Sequence, residues 1–231
     1  MKVFLSFIIR FLRSKKFLFL LLACPFLVLL PACKKPVDYF SYASEVRSNI
    51  FFYKDDTFLL KVHAVKREQP YVADGIARES VPLCEIFLTA PSGNENCEIY
   101  FSVDGKKYGG DMSYDGVKAE YYFSCTLDIS SLSKIDFSLC YGGGRYEISA
   151  KSVVDEAVLS PKLILTRLTT EYKPLFERLT DKYGFQGEIY IRLLFEDSPY
   201  YFVGVIERDG KTTAFLLNAV SGKILASRES E

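Results

Sequence analysis

After residue 50 this chain becomes a series of short stretches in which apolar and polar residues alternate, each closed by turn formers. Thr57–Val65 is the first strong one. Leu83–Ala90 follows, with Cys84, Ile86 and Leu88 in phase, then Cys97–Val103. Glu120–Leu127 puts Tyr121, Phe123, Cys125 and Leu127 on one side, and Ile135–Tyr141 and Tyr146–Val154 complete the set. A period of two is the mark of a strand with one face buried. The punctuation agrees: 91–96 is dense in turn residues, Asp104-Gly105 closes a strand, and Gly142-Gly143-Gly144 joins two. With 19 Phe and 16 Tyr and no Trp, the side chains also suit pleated surfaces. Six or so short strands at this spacing predict an antiparallel β-sandwich over residues 50–158.

The style changes near Pro161. Residues 162–167 read as a connector or short strand. A helix is then expected where Tyr172, Leu175, Phe176, Leu179 and Tyr183 share a helical face, capped by Thr170 and ended by Gly184. Three strands follow. Ile189, Ile191, Leu193 and Phe195 alternate in the first, Tyr200–Arg208 returns, and Asp209-Gly210 is a hairpin signal. Thr212–Ala219, the turn at Ser221-Gly222 and a last piece at Lys223–Ala226 complete a meander. A helix over such a meander buries one face of each. The expected fold class is therefore mainly β with an α+β part: a sandwich over 50–158, then a small helix-plus-meander domain over 162–228.

The first 50 residues have a different character. Lys2, Arg10, Arg13, Lys15 and Lys16 precede an apolar stretch from Phe17 to Ala32 that contains only Pro25 and Pro31 as interruptions, and Cys33 follows. A basic segment, an apolar segment and a small residue describe a secretory signal. A cysteine directly after that small residue resembles the lipobox of bacterial lipoproteins, although Pro31 is uncommon at its position. The resemblance implies removal of residues 1–32, diacylation of Cys33 and an extracytoplasmic, membrane-anchored product. Cys24, after Leu21-Leu22-Ala23, also fits the pattern, but cleavage there would leave Phe26–Leu30 exposed. An uncleaved anchor is the third reading, though 17 residues from Phe17 to Cys33 are short for a spanning helix, which wants about 20. Residues 33–49 are expected to be a tether and an entry segment, with 41–50 a short helix or irregular.

Cleavage before Cys33 removes five of 29 basic side chains and none of the 29 acidic ones, leaving a mildly acidic protein. Nucleic acid, which wants a basic face, is excluded as a partner. Cys84, Cys97, Cys125 and Cys140 allow three disulfide connectivities, Cys84–Cys97 and Cys125–Cys140 among them, or four buried thiols. His63 is isolated and no two cysteines stand at CxxC spacing, so neither a zinc site nor any other cofactor is expected. Any Ser/His/Asp machinery would need this single histidine, which sits mid-strand and reads as an ordinary solvent-facing residue. The acidic doublets Asp55-Asp56, Asp155-Glu156 and Glu196-Asp197 lack calcium-loop spacing and read as solvated turn charges. Residues 67–75, with Arg67, Glu68 and Tyr71, form the candidate binding loop, long, polar and carrying an aromatic among charges.

The stretch from Tyr200 to Gly210, followed by Asn218-Ala219-Val220-Ser221-Gly222-Lys223, resembles the PepSY module of secreted and membrane-bound bacterial proteins. Asn218 stands where that family more often has Asp. The resemblance covers about a quarter of the chain. It implies a helix followed by a meander and a role in binding or restraining envelope partners, with no catalytic residues to carry over. Residues 50–158 resemble uncharacterised lipoprotein domains of Gram-positive bacteria, which implies no function. The expected function is a non-catalytic binding or regulatory role at the cell envelope, without an enzyme activity. The alternatives are an accessory component docking on an envelope protein, and a carboxylate-dependent wall hydrolase with two acids facing across a cleft.

Overall fold

The computed structural model describes residues 36–230 except Asn94. The expected signal segment, Cys24 and Cys33 therefore lie outside the described residues. From Asp38 onward the described residues form one compact unit.

The protein is mainly antiparallel β, with two short helices among the described residues. Fifteen strands are present among the described residues, thirteen of them in one sheet. Strand β1 (Ala43–Lys54) organises that sheet. The segment 41–50, expected as helix or irregular chain, is instead the end of a 3-10 turn (Tyr39–Tyr42) and most of this strand. The signal was hidden because β1 buries Ser44, Glu45 and Asn49, residue types that look solvent-facing in sequence. One edge of β1 pairs along its length with β2 (Leu59–Glu68). The other edge is divided: Ala43–Arg47 runs parallel to β12 (Gly187–Phe195), whereas Phe51 and Phe52 pair antiparallel with β9 (Gly144–Ser152).

From β2 the sheet continues to β3 (Ser80–Thr89), β7 (Glu120–Cys125) and β6 (Ser113–Asp115). From β9 it continues to β8 (Lys134–Tyr141), β4 (Cys97–Val103) and β5 (Lys106–Asp111). These two arms face each other over one core. Leu60, Val62, Ala64, Cys84, Ile86 and Leu88 come from one arm, and Ile99, Phe101, Ile135, Phe137, Leu139 and Ile148 from the other. The period-two expectation holds in β4 and β8, whereas β3 buries both faces over Leu83–Ile86. Only Met112 separates β5 from β6, so one extended stretch passes from the edge of one arm to the edge of the other and nearly closes the sheet. The corner needs glycine: Gly109 has φ 134°, and a Cβ there would stand 2.1 Å from the Ile99 carbonyl oxygen.

On the other side of β1, β12 continues into β13 (Pro199–Glu207), β14 (Thr212–Asn218) and β15 (Ile224–Glu229) as an antiparallel meander. The sheet does not break between the blocks 50–158 and 162–228, because β1 and β12 are hydrogen-bonded neighbours. The helices differ from expectation. Helix α1 is Pro161–Glu171, with Ser160 as its N-cap and Pro161 in the first turn, where residues 162–167 had read as a connector. Helix α2 is only Lys173–Arg178. Residues 180–185 then leave the helical path to form the small hairpin β10 (Thr180–Asp181) and β11 (Gly184–Phe185), so Tyr183 is 79% exposed and shares no helical face. Ile164, Leu165, Leu168 and Phe176 are buried, as are Ile189, Ile191, Leu193, Val203 and Phe215 of the meander.

Candidate binding site

The loop between β2 and β3 carries the residues singled out in sequence, and most of them face inward. Arg67 and Glu68 close β2 rather than belonging to the loop. Glu68 is 1% exposed; it accepts a short hydrogen bond from the Arg78 backbone N–H, and the Arg78 guanidinium lies 3.7 Å away. Arg67 pairs at 2.7 Å with Glu85 on β3. Gly75 presses on the sheet, its N–H donating to the buried Glu188 carboxylate at 3.1 Å. Ser44 also donates to Glu188, through a short bond. Near this carboxylate the Tyr71 phenol has its pKa pushed up to about 12, by burial and by Glu188. Arg67, Glu68 and Tyr71 are thus parts of a latch that fixes the loop. Its outward parts are Val72 and Ile76, 46% and 45% exposed.

Beside the latch, Arg192 on β12 grips Glu45 on β1 with two parallel bonds of 2.9 and 2.7 Å. Arg47 stands 4.0 Å from Glu45, and burial lowers its pKa. His63 lies further along the same region, its ring 4.9 Å from that of Phe87. It lies on the face of β2 away from Val62 and Ala64, and is partly rather than fully exposed. Burial, reinforced by Arg47 and Lys61, pushes its pKa down to about 2, and its Nδ1 has no hydrogen-bond partner among the described residues.

A second feature, invisible in sequence, lies on the arm formed by β4, β8 and β9. An open groove of about 880 Å³ is lined by Tyr100, Lys134, Asp136, Ser138, Cys140 and Glu147, among others. Tyr100 is 44% exposed. The Ser138 hydroxyl is buried and has no partner among the described residues. The groove carries charges of both signs, partly paired: Lys134 with Asp136 at 3.0 Å and Arg145 with Glu147 at 3.2 Å. The Lys134 hydrogen bond holds Asp136 below the usual carboxylate range, opposite to what a general acid requires.

Two of the acidic doublets are turn formers. Asp55 accepts from the backbone of Thr57 and Phe58, and Asp155 from that of Ala157 and Val158. Among the described residues no group of three or more His, Cys, Asp or Glu is placed to hold a metal ion, and no helix is long and apolar enough to cross a membrane. Comparison with known proteins gives no matching family model, no matching curated protein and no matching solved structure.

Proposed function

We propose that the protein is a lipoprotein held at the outer face of the cytoplasmic membrane through a diacylated Cys33, and that its groove on β4, β8 and β9 binds an extended segment of another envelope protein without chemical turnover. The observation that carries the binding role is the groove itself, with an exposed Tyr100 at its side and, in its wall, a Ser138 hydroxyl that has no partner among the described residues. An open trough with an aromatic contact and charges of both signs suits a chain laid along it better than an enclosed small molecule. The weakly basic His63 and the lowered pKa of Asp136 argue against general acid–base work. The lipobox at Cys33 supports the location. A helix followed by an antiparallel meander over 161–229 is compatible with the PepSY-like reading of a partner-restraining role.

Two measurements test this. A photo-crosslinking amino acid placed at Tyr100 should give one defined protein adduct in intact cells, reduced by Ser138→Val, while the same probe at the exposed Tyr183 should give none. Equal labelling from both positions removes the groove from the proposal. Intact mass and membrane fractionation beside Cys33→Ala test the anchor: an unmodified full-length mass in the membrane fraction would overturn it.

A further inference from the structure

Of the four cysteines among the described residues, two are placed directly opposite each other. Cys84 of β3 and Cys125 of β7 are register partners in an antiparallel pair. Both belong to the same core, Cys84 fully buried and Cys125 packed against it at the strand end. Directly opposed residues in antiparallel strands have Cα atoms ~4.5 or ~5.5 Å apart, according to whether the pair is hydrogen-bonded. A disulfide spans Cα separations of about 4.4–6.8 Å, so either class accommodates the bond with little backbone movement. The other two cysteines are placed differently. Cys97 is opposite Tyr141 and its sulfur lies 3.5 Å from that of Met112. Cys140 is opposite Glu98 and lines the outer groove, while its neighbours Leu139 and Tyr141 are buried.

We propose that Cys84 and Cys125 are a disulfide site, closed by exchange with an external disulfide oxidant and stapling β3 to β7. The chemistry has a natural order. Cys125 is half-buried and the neighbouring Cys84 thiol lowers its pKa, so it forms the first thiolate. That thiolate attacks the oxidant, breaking its S–S bond, forming a mixed disulfide at Cys125 and releasing one thiolate. Cys84 then loses its proton to solvent and attacks the Cys125 sulfur. The Cys84–Cys125 bond forms and the second thiolate leaves. Two protein thiols are oxidised by two electrons, and one disulfide is reduced to two thiols. The proposal rests on the extracytoplasmic reading only for the oxidant that a cell supplies.

Purified full-length protein in detergent, titrated with glutathione disulfide, tests it independently of location. Cleavage after glutamate and lysine puts the four cysteines on separate peptides, since Glu85 and Glu95 lie between Cys84 and Cys97, Glu98 and Glu120 between Cys97 and Cys125, and Lys134 between Cys125 and Cys140. The expected result is a cross-linked peptide pair holding Cys84 and Cys125, with the mass of two hydrogens lost and Cys97 and Cys140 still open to alkylation. The melting temperature should rise by roughly 10 °C, as loop closure over about 40 residues gives in a chain of this length. Cys84→Ala should stop at the glutathione adduct on Cys125, and Cys125→Ala should leave Cys84 unmodified. Cross-linking through Cys97 or Cys140, or free alkylation of Cys84 and Cys125 after oxidation, overturns the proposal. Processing at Cys33 can fail without touching this outcome.

Discussion

Replacing Arg192 by Met tests the account of how the sheet is joined. The methionine keeps most of the aliphatic volume but removes both bonds to Glu45. Glu45 is 2% exposed, and its next cation, Arg47, is 4.0 Å away. Removing one partner of a buried pair costs about 3–5 kcal/mol. Arg192 retains 30% of its side-chain exposure, so water reaches the vacated site and the lower end, about 3 kcal/mol, is expected. In a chain of this size that is a drop in Tm of roughly 6–12 °C. Adding Glu45→Met should recover most of the loss, because no buried charge is then left alone. The assay is urea unfolding followed by far-UV circular dichroism and by tyrosine fluorescence, the chain having no Trp. The m-value should not change. A single variant within about 0.5 kcal/mol of wild type, or a double variant as unstable as the sum of the singles, would falsify the idea that this pair secures β1 to β12.

His63 predicts an acid sensitivity of defined sign. Its folded pKa is about 2 against 6.5 when unfolded, so the unfolded state binds the extra proton. Its share of stability is complete above pH 6.5 and is lost as pH falls from there toward 2. Between pH 7 and 5 wild type should lose about 2 kcal/mol relative to His63→Asn, measured by urea midpoints at each pH; parallel curves would refute this. Gly75→Ala should cost about 2 kcal/mol, since φ is +75° and the new Cβ would meet the Glu207 carbonyl at 2.7 Å; limited proteolysis of 69–79 should speed up, and an unchanged cutting rate would mean that the loop is not latched. Phe137→Ala, at 1% exposure in the shared core, should cost about 3–5 kcal/mol by the same unfolding assay.

Strands whose burial follows the pleat were legible in the sequence, because period two depends only on which face is dry. Ile135, Phe137, Leu139 and Tyr141 are all buried as that pattern requires. The hairpin at Gly142-Gly143 was equally plain, both residues having positive φ. Strand β1 was not legible: Glu45 and Asn49 are buried by partners far along the chain, Arg192 for one and the Ser130 and Leu132 carbonyls for the other. Local pattern cannot show a carboxylate whose cation is so distant in sequence. Helix α1 did announce itself through Ser160-Pro161, a cap followed by proline in the first turn, but the aromatic spacing at 172–183 pulled the expected helix downstream. At the site, Glu68 and Tyr71 read as loop residues because polarity suggests exposure, whereas the Arg78 backbone N–H satisfies a buried Glu68 and Tyr71 is half-buried near Glu188. The groove depends on the curvature of three strands, which no linear pattern encodes.

The divided edge of β1 has a consequence for how the chain is made. Synthesis delivers residues 43–47 long before residues 187–195, yet these are neighbours in the finished sheet. Until β12 arrives, the first half of β1 has an open edge of unpaired backbone groups, the kind of template on which other chains assemble. A nascent chain halted near residue 158 therefore holds most of a core but cannot close its surface. A ribosome-bound or truncated product of that length should be aggregation-prone, and full solubility should come only when the last quarter of the chain has emerged.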